Sequence, residues 1–165
     1  MLSVKSVKNS FWRVPLITLI AGWLYSKCYF RIALRFGVTE PGVIDDKISL
    51  LASGFLLMVT LILGWAILLR KQTRIEIFVS SSIVVVYSLL LWAIQLLTNS
   101  TTGSAAVVFM HLATPLEWMT FPSLLGIYLQ EHSAITIPLI GYLHFFVPWL
   151  FIIFGRKNTT ETLGL

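Results

Sequence analysis

AAVVFMHLATPLEWMTFPSLLGIYL, residues 105–129, is the stretch whose reading decides the fold. It is long and apolar enough to enter a bilayer. Yet Glu117 stands near its middle, between Pro115 and Pro122. An ionised carboxylate at the centre of a membrane helix costs about 2.5–3.5 kcal/mol on insertion scales. Such a residue has to be neutral, paired or turned toward water inside the protein. The two prolines also break the backbone ladder on either side of it. The stretch therefore reads either as one tilted, kinked span or as a segment that dips in and returns.

The rest of the chain is ordinary membrane-spanning material around that site. Of its 165 residues, 57% are hydrophobic and 12% charged, and the mean hydropathy is +0.87. Soluble domains carry about 25% charged residues. The apolar residues come in runs of about twenty rather than in helical stripes, which is the spacing a hydrocarbon core demands. The expected fold is all-α, a polytopic integral membrane helical bundle forming a single domain over residues 1–165. Its five spans are read at residues 12–36, 48–69, 77–97, 105–129 and 134–154, with four spans plus one re-entrant or broken segment as the alternative. In size and hydropathy the chain resembles many small polytopic bacterial membrane proteins, and the expected location is a bacterial cytoplasmic membrane.

The net charge of +5 does not point to nucleic acid. Most basic residues flank the apolar runs, where Lys and Arg orient helices and touch anionic headgroups. The lipid bilayer is the expected partner, with a further copy of the chain or another membrane protein beside it. Lys5, Lys8 and Arg13 precede the first run in the manner of a secretory leader, but no small-residue cleavage site follows, so a retained span is expected. The single cysteine, Cys28, excludes an intrachain disulfide and reads as a small apolar filler.

Five spans with the N-terminus inside leave six inner basic residues (Lys5, Lys8, Arg13, Arg70, Lys71, Arg74) against five outer ones (Arg31, Arg35, Lys47, Arg156, Lys157). A re-entrant fourth segment moves Arg156 and Lys157 inside, and the bias becomes eight to three. The length of residues 105–129, right for one tilted helix, favours five spans.

Two features of the first span stand out. Lys27, Arg31 and Arg35 recur every four residues as one basic ridge, snorkelling to headgroups or meeting an acidic partner. Thr18, Gly22 and Ser26 form a ladder of small residues that admits a neighbouring helix closely. Residues 37–47 read as a loop turned at Pro41-Gly42. Asp45 or Asp46 is expected to cap the next helix rather than to hold a cation. Ser80, Ser81 and Ser82 read as packing hydroxyls. Asn99-Ser100-Thr101 and Asn158-Thr159-Thr160 match the glycosylation acceptor pattern, which has meaning only in a eukaryotic secretory compartment.

The candidate site is built on Glu117. With Gln130 to Ser133 taken as a tight turn, His144 is mirrored near position 119, about 3 Å of rise from Glu117. A carboxylate and an imidazole at equal depth on antiparallel helices can share a proton. Lys27 is the alternative counter-ion. His111 lies about 120° around the helix from Glu117 and belongs to the same set only if the proline kink brings it closer. His111 and His144 differ by about 12 Å in mirrored depth, too far to ligate one haem iron. No His-Glu-x-x-His, no Gly-x-Ser-x-Gly and no metal-ligand spacing occurs, so no cofactor, metal or catalytic set is expected. The expected function is transport or permeation through a protonatable site, or service as a membrane subunit coupled to such a process. The alternatives are a scaffold whose polar residues only fix packing, and an intramembrane enzyme using Glu117 and His144 on a lipid.

Overall fold

The computed structural model describes residues 11–36, 38–40, 43–98, 103–132, 140 and 142–156. Among them the fold is all-α apart from one small hairpin. Helix α1 covers Arg13–Phe36. Strands β1 (Val38–Glu40) and β2 (Val43–Ile44) pair antiparallel where a loop was expected. Helix α2 covers Asp46–Gly64 and continues through a π-helical turn, Trp65–Leu69. Helix α3 covers Arg74–Thr98, and α4 Gly103–Ala113. A 3₁₀ turn, Thr114–Met119, leads through Thr120 into α5, Phe121–His132. A 3₁₀ helix, Leu143–Phe154, closes the described chain. Two helical stretches, Asp46–Leu69 and Arg74–Thr98, are long and apolar enough to cross a membrane.

The caps explain the boundaries. Asp45 Oδ1 accepts the backbone N–H groups of Lys47 (2.8 Å) and Ile48 (3.3 Å), so this carboxylate is spent on starting α2, as expected of a cap. At the start of α3, Glu76 accepts from the Thr73 N–H (3.0 Å) while the Glu76 N–H reaches Thr73 Oγ1 (3.4 Å). That reciprocal pair is a capping box, and its Thr-x-x-Glu spacing stands in the sequence. Sequence analysis missed it.

Helices α1, α2, α3 and the last helix share one basic end. The Arg13 guanidinium donates to the Leu68 carbonyl (2.7 Å). Ser80 Oγ accepts from the Val14 N–H (3.0 Å) and donates to the Phe11 carbonyl (2.7 Å), tying α3 to the first turn of α1. Arg74 N–H donates to the Arg156 carbonyl and Arg156 N–H to the Gln72 carbonyl, at 3.1 and 3.0 Å. From this end α3 and the last helix run antiparallel through rings: Phe78 on Trp149 at 5.6 Å, Trp92 on Phe145 at 5.9 Å and on Tyr142 at 6.2 Å. A 3₁₀ helix rises about 2 Å per residue, so its 12 residues reach about 24 Å where an α-helix would reach about 18 Å. That extension lets so short a helix stay beside α3.

The decisive segment, residues 103–132, does not run from end to end. It enters beside α3, where Tyr87 O–H donates to the Leu112 carbonyl (2.7 Å). It then meets α1 at Gly22. Trp118 and Met119 are fully buried, and the Trp118 ring lies 5.9 Å from that of Phe151, toward the basic end. After this deepest point the chain turns back past Tyr25 at Thr120, past Gly54 at Phe121 and past His144 at Ser123. The arrangement is a helical hairpin packed against α1, α2, α3 and the last helix. Five through-running elements, the count favoured from hydropathy, are not shown.

Proline chemistry accounts for the bend. Pro115 sits in the first turn of the 3₁₀ segment and Pro122 in the first turn of α5, where a missing N–H costs least. Thr120 joins them: its N–H (3.2 Å) and its hydroxyl (2.8 Å) both go to the Glu117 carbonyl, and its own carbonyl accepts from the Leu124 N–H (3.0 Å).

Candidate functional site

The bend that carries Glu117 is held by the small-residue face of α1. A Cβ on Gly22 would collide with the Thr114 carbonyl oxygen and would stand 2.5 Å from Pro115 Cα. Only glycine lets the two backbones come this near. One turn later Ser26 lies beside the Glu117 carboxyl, while the Thr114 hydroxyl donates to the Met110 carbonyl at 3.1 Å. Thr18, one turn earlier, is buried, and Trp118 Nε1 is buried nearby in the bend; neither polar atom has a protein partner. The ladder Thr18–Gly22–Ser26 is thus the seat of the hairpin.

The Tyr25 phenol and the Thr120 hydroxyl are 3.0 Å apart. Thr120 spends its one proton on the Glu117 carbonyl, which cannot donate. The Tyr25 O–H is therefore the donor to Thr120, and a directed chain runs from Tyr25 through Thr120 to the backbone of Glu117. Tyr25 is braced in turn by Tyr29, whose ring lies nearly parallel at 5.3 Å.

These groups line a cleft of about 650 Å³, with Tyr25, Ser26, Lys27, Arg31, Glu117 and Thr120 around it. Glu117 is half-buried; Lys27 and Arg31 are exposed toward the Phe36 end of α1. The fully buried Trp118 and Met119 follow Glu117 directly in the chain.

Of the four candidate site residues Glu117, His144, Lys27 and His111, the structure brings Glu117 and Lys27 into this one cleft. The Ser26 and Thr120 hydroxyls line that cleft beside Glu117. His144 is placed on Ser123, with Nδ1 3.2 Å from Oγ, and its ring packs on Phe145 at 3.9 Å. The displacement from the expected register has a simple cause. Gln130, Glu131 and His132 continue α5 instead of forming the tight turn, so the hairpin's centre moves along the chain. His144 then faces position 123 rather than 119, one helical turn further from Glu117. His111 is exposed on α4, and His132 Nδ1 lies 3.1 Å from the Tyr128 carbonyl. Ser133 and both glycosylation patterns, with the prolines and tail beyond residue 132 other than Pro148, lie outside the described residues.

Sequence analysis missed Tyr25 and Thr120 as members of the site. Thr120 carried a signal, a hydroxyl three residues after Glu117 at a proline-broken turn, where such side chains bond back to the backbone. Tyr25 carried none that separates it from any aromatic on an apolar helix. Comparison of the chain with protein-family models, curated proteins and solved structures finds no significant match. The functional reading therefore rests on the geometry.

Proposed function

We propose that the chain is a small integral membrane protein in which α1, α2, α3 and the last helix cross the bilayer and residues 103–132 form a re-entrant hairpin. The outward faces support this. Leu51, Phe55, Met58 and Ile62, at helical spacing on α2, are 73%, 63%, 61% and 54% exposed. Only 28% and 33% of the apolar windows of the two long helical stretches are buried inside the fold, whereas the core helix of a soluble protein hides most of its length. This topology puts eight basic residues at one end and Lys27, Arg31, Arg35 and Lys47 toward the other, so the basic end is cytoplasmic by the positive-inside rule.

In that frame the protein serves transport or permeation, admitting a ligand or proton from the outer face to Glu117. The observation that carries the reading is the placement of a half-buried carboxylate on a broken, glycine-seated hairpin, in a cleft it lines together with Lys27 and Arg31. Transport proteins use such broken helices to set irregular backbone and ionisable groups beside a water-filled cavity. The buried Trp118–Met119 pair is the closed side of the pathway. A second copy of the chain is the natural means of enclosing it, because so few helices leave little room within one.

The test is proton flux into liposomes holding the purified protein, with Glu117→Gln as the variant. The reading expects flux in the wild type and its loss in a variant that folds and elutes normally. A wild type with no flux, or a variant with undiminished flux, contradicts it.

A further inference from the structure

Beside the polar cleft runs a second, wholly different depression. An apolar groove between α1 and α2 is lined by Ile17, Leu24, Cys28, Leu56, Val59 and Leu63, among others. Tyr25 belongs to both, so the groove and the cleft meet at one side chain. From Ile17 to Cys28 the groove follows roughly 16 Å of helix, close to the hydrocarbon thickness of one leaflet. An acyl chain fits such a groove, and its headgroup would then lie at the cleft.

The cleft's charges say which headgroup. Lys27 and Arg31, one turn apart on α1 and exposed toward the outer end, offer a two-cation seat for a phosphate. Deeper in the cleft the half-buried Glu117 offers a carboxylate, with the Ser26 and Thr120 hydroxyls lining the same cleft. A primary ammonium, with three N–H donors, suits that cluster of oxygen acceptors. A quaternary ammonium has no donor and prefers a box of aromatic faces. Here Tyr25 and Tyr29 stack on one another instead of forming a box.

We infer that the cleft and groove together bind a zwitterionic phospholipid of the phosphoethanolamine class. Its phosphate lies at Lys27 and Arg31, its ammonium at Glu117, and one acyl chain in the α1–α2 groove. The inference names the ligand class of the cleft described above and rests on that cleft being a ligand site.

The test measures lipid retention. Wild-type protein is exchanged into mild detergent with equal amounts of phosphatidylethanolamine, phosphatidylcholine and phosphatidylglycerol of identical chains, and bound lipid is counted by native mass spectrometry. The expected result is a preference of about tenfold for the ethanolamine lipid, the worth of one charge-assisted hydrogen bond. Glu117→Gln should bring the three lipids level while binding persists, and Lys27→Ala with Arg31→Ala should weaken all three. Water-soluble glycerophosphoethanolamine should fail to displace the lipid, because it leaves the groove empty. Equal retention of the three lipids by the wild type overturns the inference, as does an unchanged preference in Glu117→Gln or displacement by the soluble headgroup. Flux lost in Glu117→Gln without any headgroup preference removes the lipid assignment and keeps the transport reading; a preference without flux does the reverse.

Discussion

Two packed pairs within this protein are built on opposite plans. Where α3 meets the last helix, the contact is made by large rings, Phe78, Trp92, Tyr142, Phe145 and Trp149, with the Trp149 indole N–H donating to Ser82 Oγ at 3.3 Å. Where α1 meets the hairpin, the contact is made by Gly22 lying on the backbone of Thr114 and Pro115 and by the Tyr25 phenol 3.0 Å from the Thr120 hydroxyl. Rings keep two regular helices apart and fill the space between them. A bent segment has backbone groups to satisfy and must be approached closely by something small and polar. The half-buried Glu117 sits on the second plan, in the bend between Thr114 and Thr120.

Mutations can break this contrast in graded steps. Trp118→Ala empties the fully buried tip of the hairpin and should cost about 3–5 kcal/mol, read as a lowered unfolding midpoint in detergent. Gly22→Ala forces a methyl into the Thr114–Pro115 backbone, which cannot rotate away, and should cost about 1–3 kcal/mol. The same change at Gly54 meets only the edge of the Phe121 ring, at 2.9 Å, and a side chain can shift. Gly54→Ala should therefore be clearly milder than Gly22→Ala in the same assay, and equal effects would erase the distinction between the plans. Ser80→Ala leaves the Val14 N–H and the Phe11 carbonyl without their shared partner and should cost about 1–2 kcal/mol. Ser123→Ala removes one interhelical bond to His144 and should cost about 0.6 kcal/mol, the ordinary worth of such contacts in membranes.

Local chemistry was legible in the sequence, and tertiary register was not. The ladder Thr18–Gly22–Ser26 announced a close approach because small residues at four-residue spacing share one face, though it did not say what approaches. A cap at Asp45 or Asp46 followed from their place before an apolar run, and Ser80, Ser81 and Ser82 as packing hydroxyls from their place near the start of a helix, where such side chains bond the preceding turn. Pro115 and Pro122 announced a break, but a kinked span and a returning hairpin have the same composition. Contacts between distant residues, Trp118 with Phe151 and Ser123 with His144, separate the two, and no local pattern encodes them. The pairing of Glu117 with His144 depended on where a turn was centred, and a helix running on to His132 moved that centre by two residues and the partner by a full turn.

The returning hairpin is the claim on which the cleft, the sidedness and the site all depend. Cys28 is the sole cysteine and is exposed, so Cys28→Ser provides a background for single reporters at Thr98→Cys, Gln130→Cys and Arg156→Cys. Labelling sealed, right-side-out vesicles with an impermeant maleimide should modify the cysteines at 98 and 130 from the same, outer face, and the one at 156 only after the membrane is opened. Labelling of position 130 from the face opposite to position 98 would show that residues 103–132 cross the bilayer, and would contradict the account.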